Sequence, residues 1–82
     1  MNTGDIVRSK AGHDKGEAFI IVGKEGNYFL LCDGKSKLLS SPKRKNGRHL
    51  EKIGYTVDIS RYNPLYDAHI RKELKRTKEV CK

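Results

Sequence analysis

Short apolar segments alternate with glycine-containing turns through the first 40 residues of this 82-residue chain. The apolar run from Phe19 to Val22 is uninterrupted, which is typical of a strand that is covered on both faces. Gly26, and Gly34 directly after Asp33, supply the turn signals that bound the neighbouring segments. This pattern predicts a small, mostly β protein organised as a barrel.

The rest of the chain completes this barrel and adds a helix. Strands are predicted over residues 5–10, 17–23, 28–32, 37–39 and 48–53, with His49, Leu50 and Ile53 anchoring the last. Residues 43–48 are predicted to form a basic loop. The predicted organisation is therefore a barrel over residues 3–53, a linker over 54–62 and a C-terminal basic amphipathic helix over 63–82.

The predicted helix runs from Pro64 to about residue 78. Asn63 is suited to be its N-cap, Pro64 fits the first helical position, and Asp67 places a negative charge in the first turn. At about 100° per residue, Tyr66, Ile70 and Leu74 form one apolar stripe that we expect to dock on the barrel. A second stripe, about 110° away, holds cations that would face a partner: Arg71, Lys75, Lys78 and Lys82.

Positive charge is concentrated in the second half of the chain. The 18 lysines and arginines outnumber the 10 acids, which gives a net charge of +8. Residues 1–40 carry six basic side chains against five acidic ones, whereas residues 41–82 carry twelve against five. An excess of this kind predicts a polyanionic partner.

Two clusters of this excess are candidate contacts. Lys43, Arg44, Lys45 and Arg48 belong to the predicted basic loop, where they could follow a nucleic-acid backbone without reading its sequence. Arg71, Lys75 and Lys78 would extend that surface along the helix. The alternative is that both are solvated charged surfaces, and that Asp67 and Glu73 pair with the cations of the helix.

Several classes of protein are excluded by the sequence. The longest apolar stretches have five residues, against about 20 for a membrane span. The N-terminal segment has charged residues where a secretory signal needs an apolar core, namely Asp5, Arg8, Lys10 and Asp14, which predicts a soluble, cytoplasmic protein. Cys32 and Cys81 are too widely separated for a zinc knuckle. His13, His49 and His69 fall on separate predicted elements, so we expect no catalytic site, metal or cofactor.

The stretch from Gly4 to Glu17, in which Gly12 and Gly16 enclose a polar turn, resembles the KOW motif of ribosomal proteins and transcription elongation factors. The later basic run and the helical tail are similar to bacterial KOW-domain RNA-binding proteins, small relatives of the fourteen-e class of large-subunit ribosomal proteins. The resemblance implies an SH3-like barrel and a non-catalytic protein that binds RNA, above all structured ribosomal RNA, through backbone and shape contacts.

The resemblance also makes the turn a candidate RNA contact, because glycines let backbone N–H groups approach a phosphate closely. The candidates in and before the turn are Arg8, Lys10, Gly12, His13, Lys15 and Gly16. A purely structural turn, with Asp14 as a local cap, is the alternative. KOW barrels also dock proteins, so interaction with ribosomal proteins or the transcription machinery is the alternative function, and nonspecific DNA compaction is a third.

Overall fold

Five antiparallel strands and one helix form the protein, seen here in a computed structural model that describes residues 1–80 and the side chains of residues 1–77. The elements are β1 (Asp5–Ser9), β2 (Ala18–Glu25), β3 (Tyr28–Cys32), β4 (Lys43–Asn46), β5 (Leu50–Thr56) and α1 (Asp67–Val80). Short 3-10 turns occupy Gly47–His49 and Ile59–Arg61. The prediction of a mostly β fold with a C-terminal helix is confirmed.

The strands form one sheet in the order β4-β3-β2-β1-β5. β4 and β5 follow one another in the chain with only the three-residue 3-10 turn between them, yet they are the two terminal strands of the sheet order, where β4 pairs with β3 and β5 with β1. Within residues 1–80 no ladder joins β4 to β5, so the sheet is not closed into the expected barrel. What the structure shows of the predicted barrel is therefore one five-stranded antiparallel sheet without a closing ladder in the described residues.

Both faces of the sheet are buried, as the apolar run in β2 predicts. Phe19, Ile20 and Ile21 have no exposed surface. Ile20 faces a cluster to which α1 contributes Ile70 and Leu74. Phe19 and Ile21 face the opposite way, into a cluster that consists of strand residues and contains none from α1. The strands must therefore enclose this second cluster themselves, which requires a strongly curved sheet.

The predicted basic loop is instead strand β4. Its register places Lys43 opposite Leu31 and Lys45 opposite Phe29 on β3. Lysines are well tolerated on an edge strand because their long side chains carry the charge away from the sheet. Sequence patterning missed the strand because four polar residues carry no apolar alternation.

The strand predicted over residues 37–39 is absent from the described residues, where a single bridge between Leu38 and Ser41 stands in its place. The Asp33 carboxylate accepts hydrogen bonds from the backbone N–H groups of Lys35 and Lys37, both at 2.8 Å, and these close a loop after β3. The last strand extends to Thr56, so the sheet includes the first three residues of the predicted linker.

The helix begins at Asp67, three residues later than Pro64. The backbone N–H of Tyr66 donates to Nδ1 of His69 at 3.0 Å, which is the reciprocal half of a capping box and makes Tyr66 the residue before the first helical turn. Ile70 and Leu74 dock on the sheet as expected. Tyr66 does not, because its side chain is 60% exposed.

Candidate nucleic-acid interface

The glycine turn, residues 12–16, joins β1 to β2 as predicted. Gly12 and Gly16 take φ values of +85° and +89°, in the left-handed region that favours glycine. The turn is closed by hydrogen bonds from the N–H of Gly16 to the carbonyl of Ser9 and from the N–H of Lys15 to the carbonyl of Gly12. These bonds give the turn a fixed shape at the end of the β1–β2 hairpin.

A buried carboxylate, Asp14, lies at the centre of the turn. Its Oδ1 accepts hydrogen bonds from the Ser9 hydroxyl at 2.7 Å and from Lys45 Nζ at 2.6 Å. Lys43 Nζ lies 3.0 Å from Oδ2 and forms an ion pair with it. Burial alone would raise the pKa of Asp14, but the bonds from Lys45, Ser9 and Lys43 outweigh it and hold that pKa well below its usual value.

The contacts with Asp14 limit how Lys43 and Lys45 of the predicted basic loop can bind a phosphate. Lys45 also donates to the carbonyl of Ala11 at 2.8 Å, and its side chain is only 11% exposed. Lys45 is therefore a structural clamp between β4 and the glycine turn, and Asp14 compensates much of the charge of Lys43 and Lys45. The negative charge of Asp14 would also repel a phosphate bound at the turn, so the turn is a weaker anion site than its sequence indicates.

The remaining cations near the turn are exposed. Lys10, His13 and Lys15 point to solvent, and Lys10 and Lys15 form no ion pair among the residues whose side chains are described. Arg44 is on β4 but stacks over the Tyr28 ring, with 4.5 Å between its guanidinium carbon and the ring centroid. Arg48, in the following 3-10 turn, is exposed as well.

A basic groove runs between α1 and the sheet. We define it by Arg8, Lys35, Arg71 and Lys75, the four cations that line it. Its open volume is about 830 Å³, and Ala18, Ile53 and Leu74 supply apolar lining. The acids Glu17 and Asp33 also line it, together with Gly16 and Thr77. The groove thus joins predicted residues from β1, the glycine turn and α1.

Arg71 is held in the groove by the loop that follows β3. Its Nη1 donates to the carbonyl of Gly34 at 2.6 Å. The same loop is tied to the start of α1 because the N–H of Leu39 donates to Asp67 Oδ1 at 2.8 Å. Gly34 takes φ +75°, and an added Cβ there would lie 2.5 Å from the Asp67 carbonyl oxygen. The close approach of loop and helix therefore depends on a glycine at this position.

A second cavity, of about 540 Å³, lies on the other side of α1 and is lined by the cations Arg61, Lys72 and Arg76. Buried Glu73 accepts hydrogen bonds there from the Tyr62 hydroxyl at 2.9 Å and from Arg76 Nη1 at 3.0 Å. The bond to Glu73 raises the pKa of Tyr62. This carboxylate is therefore already occupied by donors of the fold.

Four cations of these cavities were missed by the sequence analysis: Lys35, Arg61, Lys72 and Arg76. Lys72 and Arg76 each follow directly after a member of the predicted cationic stripe, so a wider helical arc would have included them. Lys35 and Arg61 carried no local signal, because their place depends on how their loops pack against α1.

The structure thus separates the predicted site residues. Five of them are exposed and line neither cavity: Lys10, Gly12, His13, Lys15 and Arg48. Arg8, Gly16, Arg71 and Lys75 line the basic groove. Lys43 and Lys45 contact the Asp14 carboxylate of the glycine turn, whereas Arg44 lies over Tyr28. Lys78 is in α1, but its side chain is outside the described residues, and Lys82 lies wholly outside them.

No family model matches this chain, and none of the curated proteins matches it. In the described part of the chain, α1 lacks the length and apolar character needed to cross a membrane. Side chains up to Thr77 include no group of three or more potential metal ligands among His, Cys, Asp and Glu.

Proposed function

We propose that the protein is a cytoplasmic, non-catalytic module that binds RNA through the sugar-phosphate backbone. The basic groove carries this proposal, because it collects four cations from β1, the loop after β3 and α1 around an apolar floor. Cations on separate elements can contact successive phosphates, while apolar lining accepts ribose and base surfaces. Such contacts position RNA without reading its sequence.

The charge balance of the groove supports an anionic ligand. Four cations face two acids in the lining, and Asp33 is already bonded to the backbone of its own loop. Arg8 also pairs with Glu51 at 3.8 Å, so Lys35, Arg71 and Lys75 are the lining cations without an ion pair among the described side chains. Those hydrogen bonds overcome the effect of burial and hold the pKa of Asp33 below its usual value. Glu17 is the one acid lining the groove, among the described residues, whose carboxylate lacks such bonds.

We also propose that this module is a KOW-like domain with an SH3-like fold. The Gly12 to Gly16 spacing resembles a KOW motif, and the observed β1–turn–β2 hairpin is the setting that such a motif requires. The sheet also curves around its own core, as an SH3-like fold would. We therefore propose structured RNA, with ribosomal RNA first, as the partner.

Two exposed lysines of the basic groove allow a direct test. In the double variant Lys35→Gln and Lys75→Gln, RNA affinity should fall about tenfold at low salt, since two phosphate contacts are lost. A matched control is Lys24→Gln with Lys52→Gln, which removes the same charge from β2 and β5, outside the groove. Because Lys52 also pairs with Asp5 at 3.6 Å, thermal unfolding checks that the control variant remains folded. An equal loss in both variants would contradict a groove-specific interaction.

Salt dependence supplies a second readout. If about six phosphates are contacted, log affinity should fall with log salt at a slope of about −4 to −5. The groove variant should have a slope smaller in magnitude by about 1.5. If the alternative function, docking to a protein, were correct, RNA binding would not show this dependence on salt. Equal affinity for duplex DNA and folded RNA would favour nonspecific DNA compaction.

A further inference from the structure

Among the residues of α1 whose side chains are described, every exposed charged side chain is a cation. Arg71, Lys72, Lys75 and Arg76 are all exposed and cover an arc of about 140°. The opposite side of the helix is buried through Ile70, Glu73, Leu74 and Thr77. We call the four exposed cations the α1 ridge.

Open cavities flank the α1 ridge on both sides, and each adds further positive charge. On the near side, Arg71 and Lys75 share the basic groove with Arg8 and Lys35. On the far side, Lys72 and Arg76 share the second cavity with Arg61. A polyanion lying over the ridge would therefore meet cations on both flanks.

Ion pairs compensate one cation on each flank, since Arg76 pairs with Glu73 at 3.0 Å and Arg8 with Glu51 at 3.8 Å. The other flank cations form no ion pair among the described side chains: Lys35, Arg71 and Lys75 on the near side, and Arg61 and Lys72 on the far side. Asp58, on the far side, accepts hydrogen bonds from the N–H and the hydroxyl of Ser60. Glu73 is buried and bonded to Tyr62 and Arg76, as described above, and Asp33 closes its own loop. Of the four acids that line the two cavities in the described residues, only Glu17 has a carboxylate that accepts no hydrogen bond from the protein.

From this two-sided distribution we infer that α1 lies in the minor groove of an A-form RNA duplex, with each flank contacting the phosphates of one strand. The inference rests on the proposed function and specifies its ligand. A helix with its side chains is about 10–12 Å across. The minor groove of A-form RNA is wide and shallow, whereas its major groove is too deep and narrow to admit side chains. A single strand would need only one flank.

The test compares two pairs of exposed cations, one on each flank. The near pair is Lys35→Gln with Lys75→Gln, and the far pair is Arg61→Gln with Lys72→Gln. The probes are a fully paired RNA hairpin, a uridine oligonucleotide with the same number of phosphates, and a DNA duplex of the hairpin stem sequence. Affinities are measured by fluorescence anisotropy, and thermal unfolding confirms that both variants remain folded.

Both variants should bind the RNA hairpin about tenfold more weakly than the unsubstituted protein. Only the near pair should weaken binding to the uridine oligonucleotide, because a single strand occupies the basic groove alone. The DNA duplex should bind more weakly than the RNA hairpin, since its minor groove is narrower.

Three outcomes would overturn the inference. If the far pair leaves hairpin binding unchanged while the near pair weakens it, RNA binding stands and the two-flank geometry fails. If the DNA duplex binds as tightly as the hairpin, recognition of A-form RNA fails. If neither RNA binds to the unsubstituted protein, the proposed function itself fails, and the inference fails with it.

Discussion

At the scale of single residues, Asp14 decides what the glycine turn does. The sequence presents this segment as two glycines with a lysine and a histidine between them, a pattern that suits a phosphate. In the fold, Asp14 turns inward and binds Ser9, Lys43 and Lys45. Two of the cations predicted to contact RNA therefore also connect the glycine turn to β4. The spacing of 29 and 31 residues between these partners gave no local signal of the contact.

We predict that Asp14→Asn lowers the free energy of unfolding at pH 7 by about 2–4 kcal/mol, because it removes the charge that two lysines surround. The native pKa of Asp14 is lowered, so its contribution is fully present well above the unfolded-state value of about 3.9 and is lost progressively as the pH falls from that value towards the lower native pKa. Urea unfolding from pH 7 to pH 3 measures this loss.

Asp14→Asn should therefore lose less stability on acidification than the unsubstituted protein. Some acid sensitivity should remain, because the native pKa values of Asp5 and Asp33 are lowered as well. The control is Glu25→Gln, at an exposed position at the end of β2. If the variant and the unsubstituted protein had parallel pH profiles, the carboxylate would not have the proposed role.

Cys32 leads to a second prediction at this scale. It is a free cysteine, fully buried against α1, and burial, with the nearby charges of Asp67 and Asp33, raises its pKa to about 11. A thiolate is the reactive form, and a shift from 9.0 to about 11 makes it about 100-fold rarer.

In a Cys81→Ser background, Cys32 should react with a disulfide reagent at pH 8 at least about 100-fold more slowly in the native protein than in urea. The rate of absorbance change on labelling measures this difference. Fast labelling of the native protein would mean that α1 does not cover this residue. Cys81 itself lies outside the described residues.

At the scale of elements, local patterns predicted what local forces determine. The predictions of β2 and β3 were correct because their signals, an apolar run and flanking turn glycines, lie in consecutive residues. β4 was predicted as a loop because its four polar residues have no apolar alternation, and the contact that holds its lysines comes from Asp14 on another hairpin. The start of α1 was misplaced because the side chain of His69, rather than that of Asn63, provides the cap.

Part of the candidate site could likewise be predicted from local patterns. Arg71 and Lys75 were predicted from helical periodicity, which needs no tertiary information. Lys35 joined them only because the loop after β3 packs against α1 at Gly34. Arg61 lies in a segment that was predicted to be a linker, and only the fold shows that this segment borders a cavity.

The packing of this loop leads to a prediction with a matched control. Gly34 and Gly26 both have positive φ, but only Gly34 has neighbours where a Cβ would be placed, with the Asp67 carbonyl oxygen at 2.5 Å. Gly26→Ala should cost about 1–2 kcal/mol of unfolding free energy from backbone strain. Gly34→Ala should cost about 1–3 kcal/mol more, because the loop must also move away from α1. Chemical denaturation of both variants measures the difference, and equal costs would contradict the contact.

At the scale of the whole molecule, α1 has two roles that depend on each other. Its buried side completes the core cluster around Ile6 and Ile20, and its exposed side carries the α1 ridge. In domains only slightly smaller than this one, the core supplies about 3–5 kcal/mol of net stability. The proposed binding surface is therefore only as stable as the packing beneath it.

The two roles of α1 can be separated experimentally by substituting one buried and one exposed residue of the helix. Ile70→Ala should lower the free energy of unfolding by about 2–5 kcal/mol, which is comparable with the whole stability of the domain. It should lose RNA binding through unfolding although Ile70 is only 1% exposed. Lys72→Ala should leave unfolding within about 0.5 kcal/mol of the unsubstituted protein and weaken binding to the RNA hairpin. Urea unfolding and hairpin titration in the same buffer distinguish the two effects. If Ile70→Ala stayed folded and bound RNA normally, α1 would contribute little to the core, and the ridge would not depend on its docking.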